Sequence, residues 1–340
     1  MTEPTPKAAT GVEGLDAILG GGLTRGRVFL LEGDPGTGKT TIATQFLMNG
    51  AELGESCLYI TLSETEEELR ESVASHGWTL PDSIQIFELI PPESLLDDDQ
   101  QQSLLYSSDL ELGETTKRIF EVYEKVRPQR VVLDSLSEIR LLAQSSLRYR
   151  RQILALKHYF AKQGASVLML DDLTSEAADK TVHSVAHGVL RLEELSPDYG
   201  AERRRLRVLK YRGQRYRGGY HDFIIATGGV RVFPRLVSLQ HKTNFDRHPV
   251  LTDSPELNAL LGGGFERGSS ALVLGPAGTG KSLFALTFIK AAIEKGGKAA
   301  MFIFDEELGL LFTRALGLDI DLQAMVDTGN LVIEQVDAAE

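Results

Sequence analysis

Sulfur, long apolar runs and positive charge are all scarce in this chain, and each shortage closes off a class of function. A single cysteine, Cys57, among 340 residues allows neither an internal disulfide framework nor a metal site built from several thiols. It reads as a small residue packed at the start of a strand. No apolar stretch approaches the roughly 20 residues of a membrane helix, and the opening MTEPTPKAAT lacks the basic-then-apolar form of a leader, so the cytosol is the expected compartment. The formal net charge of −12 repels nucleic acid at long range unless cations are gathered locally. They are gathered once: eight of the fifteen residues from Arg203 to Arg217 are Lys or Arg. With 42% hydrophobic and 25% charged residues, the composition is that of an ordinary soluble protein, long enough for about two domains.

The chain also repeats itself. At a constant offset of 242 residues, LGGG at 19–22 falls on 261–264, Arg25-Gly26 on Arg267-Gly268, Gly33 on Gly275, Lys39 on Lys281 and Glu64 on Glu306. So many matches without a gap mark a duplicated unit. The expected organisation is a flexible tail over 1–10, a first complete unit over 11–236, a polar linker over 237–250, and the front of a second unit over 251–340. A copy as long as the offset would run well past residue 340, so the second unit is expected to be incomplete, with an exposed sheet edge and uncovered apolar surface.

In the first unit, apolar strand candidates (VFLLEG, CLYITL, IQIFEL, RVVLDS, SVLMLDD) alternate with helical patterns at 39–51, 66–76, 115–126 and 147–162. That alternation predicts an α/β fold with a mainly parallel sheet covered by helices on both faces. From Ala186 onward, short alternating runs predict an antiparallel extension. Residues 91–114 carry seven acids and little periodicity, which predicts a solvated loop.

Two segments fit the phosphate-loop pattern G-x-x-x-x-G-K-[ST], each preceded by an apolar run (VFLLEG, ALVLG) expected to be a strand and followed by a helix. The first comprises Gly33, Asp34, Pro35, Gly36, Thr37, Gly38, Lys39, Thr40 and Thr41. The second comprises Gly275, Pro276, Ala277, Gly278, Thr279, Gly280, Lys281, Ser282 and Leu283. Glycines let backbone N–H groups converge on phosphate oxygens, Lys39 or Lys281 reaches the terminal phosphates, and Thr40 or Ser282 ligates Mg²⁺. The expected cofactors are therefore ATP and Mg²⁺. Hydrolysis further needs an acid for the metal shell and one to orient water. Asp134, at the carboxyl end of RVVLD, fits the first role. Glu64, at the end of CLYITLSE and repeated as Glu306, fits the second.

Together, GLDAILGGGLTRGRVFLLEGDPGTGKTTIATQF, YITLSETEEELRESVASHGW, RVVLDSLSEI and LRVLKYRGQRYRGGYHDFII resemble the KaiC-like branch of the RecA superfamily, over residues 10–236 and again over the front of a second domain. The resemblance implies an ATPase ring of six identical chains with nucleotide between subunits. It also implies that Lys210 and Arg212 of the K-x-R-G motif reach into a neighbour's site as arginine fingers do, and that the ring engages signalling partners. Two departures stand out. The family's acid pair is reduced to Ser63-Glu64 in copy one, though kept as Asp305-Glu306 in copy two. Copy two has no counterparts of Asp134, Lys210 or Arg212 within the sequence.

The favoured expectation is a slow ATPase serving as a signalling or timing module. A serine/threonine autokinase of the KaiC type, a RecA-type recombinase or helicase, and a nucleotide-binding scaffold without turnover are the alternatives. The acidic balance speaks against the DNA motor, and no membrane contact is expected.

Overall fold

Runs rich in Val, Leu and Ile form the centre of a nine-stranded sheet in the computed structural model, which describes residues 6–89, 104–173, 181–196, 200–237, 248–304 and 306–336. The chain divides into two compact units, one built from Met1–Pro197 with Glu202–Leu236, the other from Val237–Glu340 with the short stretch Asp198–Ala201.

The first unit begins with a two-stranded ribbon, β1 (Lys7–Ala8) against β2 (Leu23–Thr24), with helix α1 (Leu15–Leu19) between them. There follow β3 (Val28–Gly33), α2 (Lys39–Glu52), β4 (Cys57–Thr61), α3 (Glu66–Ser75), β5 (Ile84–Glu88), α4 (Leu104–Val126), β6 (Arg130–Asp134), α5 (Leu136–Ala143), α6 (Ser146–Gln163), β7 (Ser166–Asp172) and α7 (Thr181–Val185). Four strands complete the sheet: β8 (Gly188–Leu195), β9 (Arg203–Tyr211), β10 (His221–Ala226) and β11 (Gly229–Phe233). Their order is β11-β10-β9-β8-β3-β7-β6-β4-β5, parallel from β8 to β5 and antiparallel from β8 to β11. The antiparallel extension thus starts one strand later than the pattern after Ala186 suggests, because β8 still runs parallel to β3.

Strand β3 is buried along its whole length. Phe29 and Leu31 pack with Ile42 and Phe46 of α2 on one face, while Val28 and Leu30 pack with Ile153, Leu156 and Phe160 of α6 on the other. A strand covered on both faces must be continuously apolar, which is why VFLL shows no alternation. Each such fully buried side chain contributes about 1.5–3 kcal/mol of transfer free energy. Cys57 belongs to the same core, and burial pushes its thiol up to about 12, so it is a packing residue.

A buried ion pair ties the amino edge together. Arg130, wholly inaccessible at the start of β6, donates to Glu55 at 2.5 Å and to the carbonyls of Ala9 (2.8 Å) and Phe46 (2.7 Å). Arg25 binds the other oxygen of Glu55. Gly50 makes room for this network, since a Cβ there would lie 2.6 Å from Arg130 Cδ. Burial alone would raise the Glu55 carboxyl, but the two arginines outweigh it and hold it below its ordinary range.

Three expectations need correction. Residues 6–10 are no free tail: Ala8 is fully buried and Thr10 donates to Asp16 at 2.8 Å. Residues 104–114 are helical, because Leu112, Thr115, Ile119 and Tyr123 recur at helical spacing and are buried; the rest of the acidic stretch lies outside the described residues. The apolar run ALVLG forms no strand.

The second unit holds α8 (Pro255–Leu260), α9 (Lys281–Glu294), α10 (Leu308–Leu316), α11 (Leu322–Asp327) and the parallel pair β12 (Ala299–Ile303) and β13 (Leu331–Gln335). A small core of Leu286, Ile303, Leu311, Ala315, Ile320, Leu322 and Leu331 joins all of these but α8, which has no buried residue. Residues 271–275 pair with nothing among the described residues, and Leu272 and Leu274 are 83% and 82% exposed. Their counterparts in β3 are strand only because β7 and β8 hydrogen-bond both edges. Most of the proposed linker, 238–247, lies outside the described residues. Among those described, no helix is long and apolar enough to cross a membrane.

Two measurements check this picture. Replacing Arg130 by Met leaves Glu55 buried with half its partners, and the unfolding free energy of the first unit should fall by about 3–5 kcal/mol; a loss under about 1 kcal/mol would remove the pair from its structural role. Because the Glu55 carboxyl is depressed, its contribution is complete above the ordinary value of 4.5 and disappears as pH falls through the lower folded-state value. In amide exchange, Phe29–Leu31 should be among the most protected segments and Leu272–Leu274 among the least, whereas equal protection would mean that the second run is paired after all.

Candidate functional site

Strand β3 delivers the chain to Gly33 at the carboxyl edge of the sheet, where ligands of open parallel sheets gather. The loop then turns through Gly36 (φ 82°) and Gly38 (φ 91°), both in the left-handed region that favours glycine, and α2 starts at Lys39. Nothing lies within 4 Å of where a Cβ at Gly36 would sit, while one at Gly38 would lie 2.7 Å from Ile225 Cδ1. Thr37 closes the turn by donating from Oγ1 to the Asp34 carbonyl at 2.7 Å. No side chain caps the start of α2. Its free N–H groups and the positive end of the helix dipole therefore face the loop, the arrangement that receives phosphate.

Lys39 is buried, and its ammonium reaches three oxygens: the carbonyls of Gly33 (2.9 Å) and Asp34 (2.8 Å) and Oδ1 of Asp172 (2.8 Å). Thr40 Oγ1 donates to Asp134 Oδ2 at 3.3 Å, bringing the two expected metal ligands together, and Tyr59 donates to the same oxygen at 2.5 Å. Burial raises the Asp134 carboxyl, with Asp172 adding repulsion and Tyr59, Lys39 and Thr40 pulling the other way. Burial likewise holds the Tyr59 phenol well above 10, so it stays a neutral donor. Thr41, in the same helical turn, faces His76, with Oγ1 and Nε2 3.3 Å apart.

Glu64 sits in the turn between β4 and α3. The turn is fixed by Thr61, whose Oγ1 accepts from the Glu64 N–H (3.0 Å) and donates to the Glu64 carbonyl (2.8 Å). A glutamate ahead of a helix commonly serves as its cap, but Thr65 and Glu68 form the capping box here, which leaves the Glu64 carboxylate without that duty. Burial, then the charges of Asp134, Glu68 and Asp172, push its carboxyl up, so Glu64 shares one electrostatic neighbourhood with the loop acids.

Lys210 and Arg212 are not part of this group. By register, Lys210 stands opposite Val189, itself beside Leu30, and Tyr211 opposite Gly188, beside Phe29. They thus lie two strands from β3 and toward its amino end, while the loop leaves from the carboxyl end. Lys210 donates to the carbonyls of His183 and Ala186 (2.8 Å to the latter), and Arg212 to that of Ser184 at 2.7 Å. The front of the basic run is neutralised instead, by Arg204 on Glu194 (3.0 Å) and Arg205 on Glu193 (2.7 Å). Burial first, then Arg27, Arg212, Lys7 and Lys210, press the nearby His187 down to about 4, the mark of a cationic patch.

The second loop copies the first in outline. Lys281 donates to the carbonyls of Gly275 (2.7 Å) and Pro276 (2.8 Å), and Gly278, Gly280, Lys281, Ser282, Arg314 and Leu318 line a cleft of about 330 Å³. Glu306 is held by Arg314 at 2.7 Å. Asp305 lies outside the described residues, and Ser282 has no described counterpart of Asp134 beside it.

Reading the sequence missed Asp172, Tyr59 and Ser137 as neighbours of the loop. Asp172 had a signal, as the last residue of an apolar strand at the carboxyl edge. Tyr59 had none, because a buried strand tyrosine looks like core.

Loop, lysine, hydroxyl and strand-end acid on this sheet order define a P-loop ATPase of RecA-like fold. The chain belongs to the KaiC family, whose model, described as "ATPase: KaiC", matches residues 8–237 and 250–340. Among curated relatives, the circadian clock protein KaiC3 of Synechocystis sp. (strain ATCC 27184 / PCC 6803 / Kazusa) is 29% identical over 98% of this chain and 66% of its own length. KaiC2 of the same organism is 28% identical over 95% and 56%. The circadian clock oscillator protein KaiC of Prochlorococcus marinus (strain MIT 9313) is 30% identical over 96% and 66%. The chain thus spans between 56% and 66% of the length of these three relatives.

Proposed function

We propose that the first copy binds Mg²⁺-ATP and hydrolyses it slowly at the interfaces of a homo-oligomeric ring, whose nucleotide state serves signalling or timing, as the names of its clock-protein relatives suggest. The carrying observation is the division of the expected machinery: Lys39, Thr40 and Asp134 meet at the loop, with Glu64 close enough to feel the charges of Asp134 and Asp172, while Lys210 and Arg212 lie two strands from β3, level with its amino half. Their described hydrogen bonds go to the carbonyls of His183, Ser184 and Ala186 and none to the loop, and a head-to-tail contact offers them the loop of the next chain.

The residues fit the metal and nucleotide they would hold. The uncapped start of α2 leaves N–H groups free for phosphate, and Thr40 with Asp134 supplies the one hydroxyl and one carboxylate that Mg²⁺ takes from protein when phosphates and water fill the rest of its shell. When bound, Mg²⁺ supplies charge neutralisation to the phosphoryl oxygens. Loop N–H groups and Lys39 position the terminal phosphate, Tyr59 holds Asp134 in place, and Glu64 orients the attacking water and accepts its proton, its raised carboxyl making it the stronger base. Lys210 and Arg212 from the neighbour take up charge that develops in transfer, the part arginine fingers play. Ser63 leaves Glu64 to act without a second acid, in keeping with slow turnover.

Neutralisation of Arg204 and Arg205 by strand-paired acids weakens the case for a nucleic-acid motor, since the run offers no continuous basic surface. Autokinase activity would need an acceptor hydroxyl beside a complete second site, and Glu306 there is engaged by Arg314.

Glu64→Gln should lower phosphate release by about 10²–10⁴-fold while nucleotide affinity stays within a few fold. Unchanged turnover would take the role from Glu64.

A further inference from the structure

Lys39 has all three of its donors engaged by the chain itself. An ammonium has three hydrogens to give, and in this chain all three have takers: two backbone carbonyls of the loop itself and the carboxylate of Asp172. A phosphate oxygen entering the loop must displace one of them. The carbonyls belong to the loop and move with it. Asp172 is the only anion of the three, and so the only one that competes with phosphate charge for charge.

The placement of Asp172 is built into the sheet. It ends β7 directly beside Gly33 in the β3–β7 register, so the carboxylate stands at the mouth of the loop. Its second oxygen, Oδ2, accepts from Ser137 at 3.2 Å, which keeps the group oriented when Oδ1 loses the lysine. The side chain is 27% exposed, enough for water to take the place of Lys39. Its charge is felt across the site, as both Asp134 and Glu64 are raised in part by it. In the second loop Lys281 holds the two equivalent carbonyls, and among the described residues no carboxylate joins them.

We propose that Asp172 is a positioning residue that competes with the nucleotide's terminal phosphate for Lys39: it holds the lysine in the empty loop, weakens ground-state binding, and recaptures the lysine as product leaves. This rests on the reading that Lys39 contacts the terminal phosphates of a nucleotide in the first loop.

The test is equilibrium binding and release of a fluorescent ADP analogue with Mg²⁺, using the full chain. Asp172→Asn keeps the shape and removes the charge. It should tighten ADP on the order of tenfold, the scale of one hydrogen bond to a charged group, and slow release to match. Asp172→Glu should stay near the parent, and in a Lys39→Met background the Asn substitution should change nothing. Affinity unchanged or weaker in a variant with the parent's melting temperature would overturn the role of Asp172, as would the same tightening in the Lys39→Met background. If Asn lowers the melting temperature, Asp172→Ser carries the same expectation. A parent chain that binds no ADP fails the functional reading itself, a result distinct from any difference between variants.

Discussion

A phosphate loop is only as rigid as the strand that feeds it, and β3 is held by hydrogen bonds to β7 on one edge and β8 on the other. Much else at the site depends on that double pairing. It fixes Gly33 at the carboxyl edge, sets Asp172 beside it, and places Asp134 one strand further on, where Thr40 and Tyr59 meet it. The second copy keeps the loop pattern, but among the described residues its preceding run has no strand partner. Lys281 finds the same two carbonyls but is only partly buried, and the preceding run lies unpaired among the described residues with its leucines in solvent.

Charge follows the same logic of placement. A net charge of −12 and a dense basic run look contradictory until the register of β8 and β9 is seen. The front arginines face Glu193 and Glu194 across the ladder, while Lys210 and Arg212, nearer the amino edge, meet only carbonyls among their described hydrogen bonds. At the loop end Asp172 binds Lys39, and its charge helps to raise the carboxyls of both Asp134 and Glu64. The acids of the loop and these cations thus lie on different parts of the unit.

Much of this was legible in the residues because local chemistry decided it. The phosphate-loop pattern, the buried strand VFLLEG and the strand-end Asp134 are determined within a few residues of themselves. What escaped depends on partners distant in sequence. ALVLG has the composition of a strand, but a strand needs neighbours, and composition does not say whether they are there. The start of α4 was hidden because acids on a helix face resemble a solvated loop until Leu112 and Ile119 are known to be buried. Lys7–Ala8 looked like a tail because two residues cannot show a period. Glu64 could have been a helix cap on sequence grounds alone, and only Thr65 and Glu68 taking that duty separates it from the helix.

The central claim is that one chain's loop is completed by another chain's cations. It is tested most directly by mixing two defective proteins in the presence of Mg²⁺-ATP: Glu64→Gln chains, whose Lys210 and Arg212 are intact, and Lys210→Ala/Arg212→Ala chains, whose loop and Glu64 are intact. Each alone should be nearly inactive. An equal mixture should recover roughly a quarter of parental turnover, the statistical share of interfaces that join an intact loop to intact cations in a head-to-tail ring. A mixture no more active than its parts, or full activity from the Lys210→Ala/Arg212→Ala chain alone, would contradict the account.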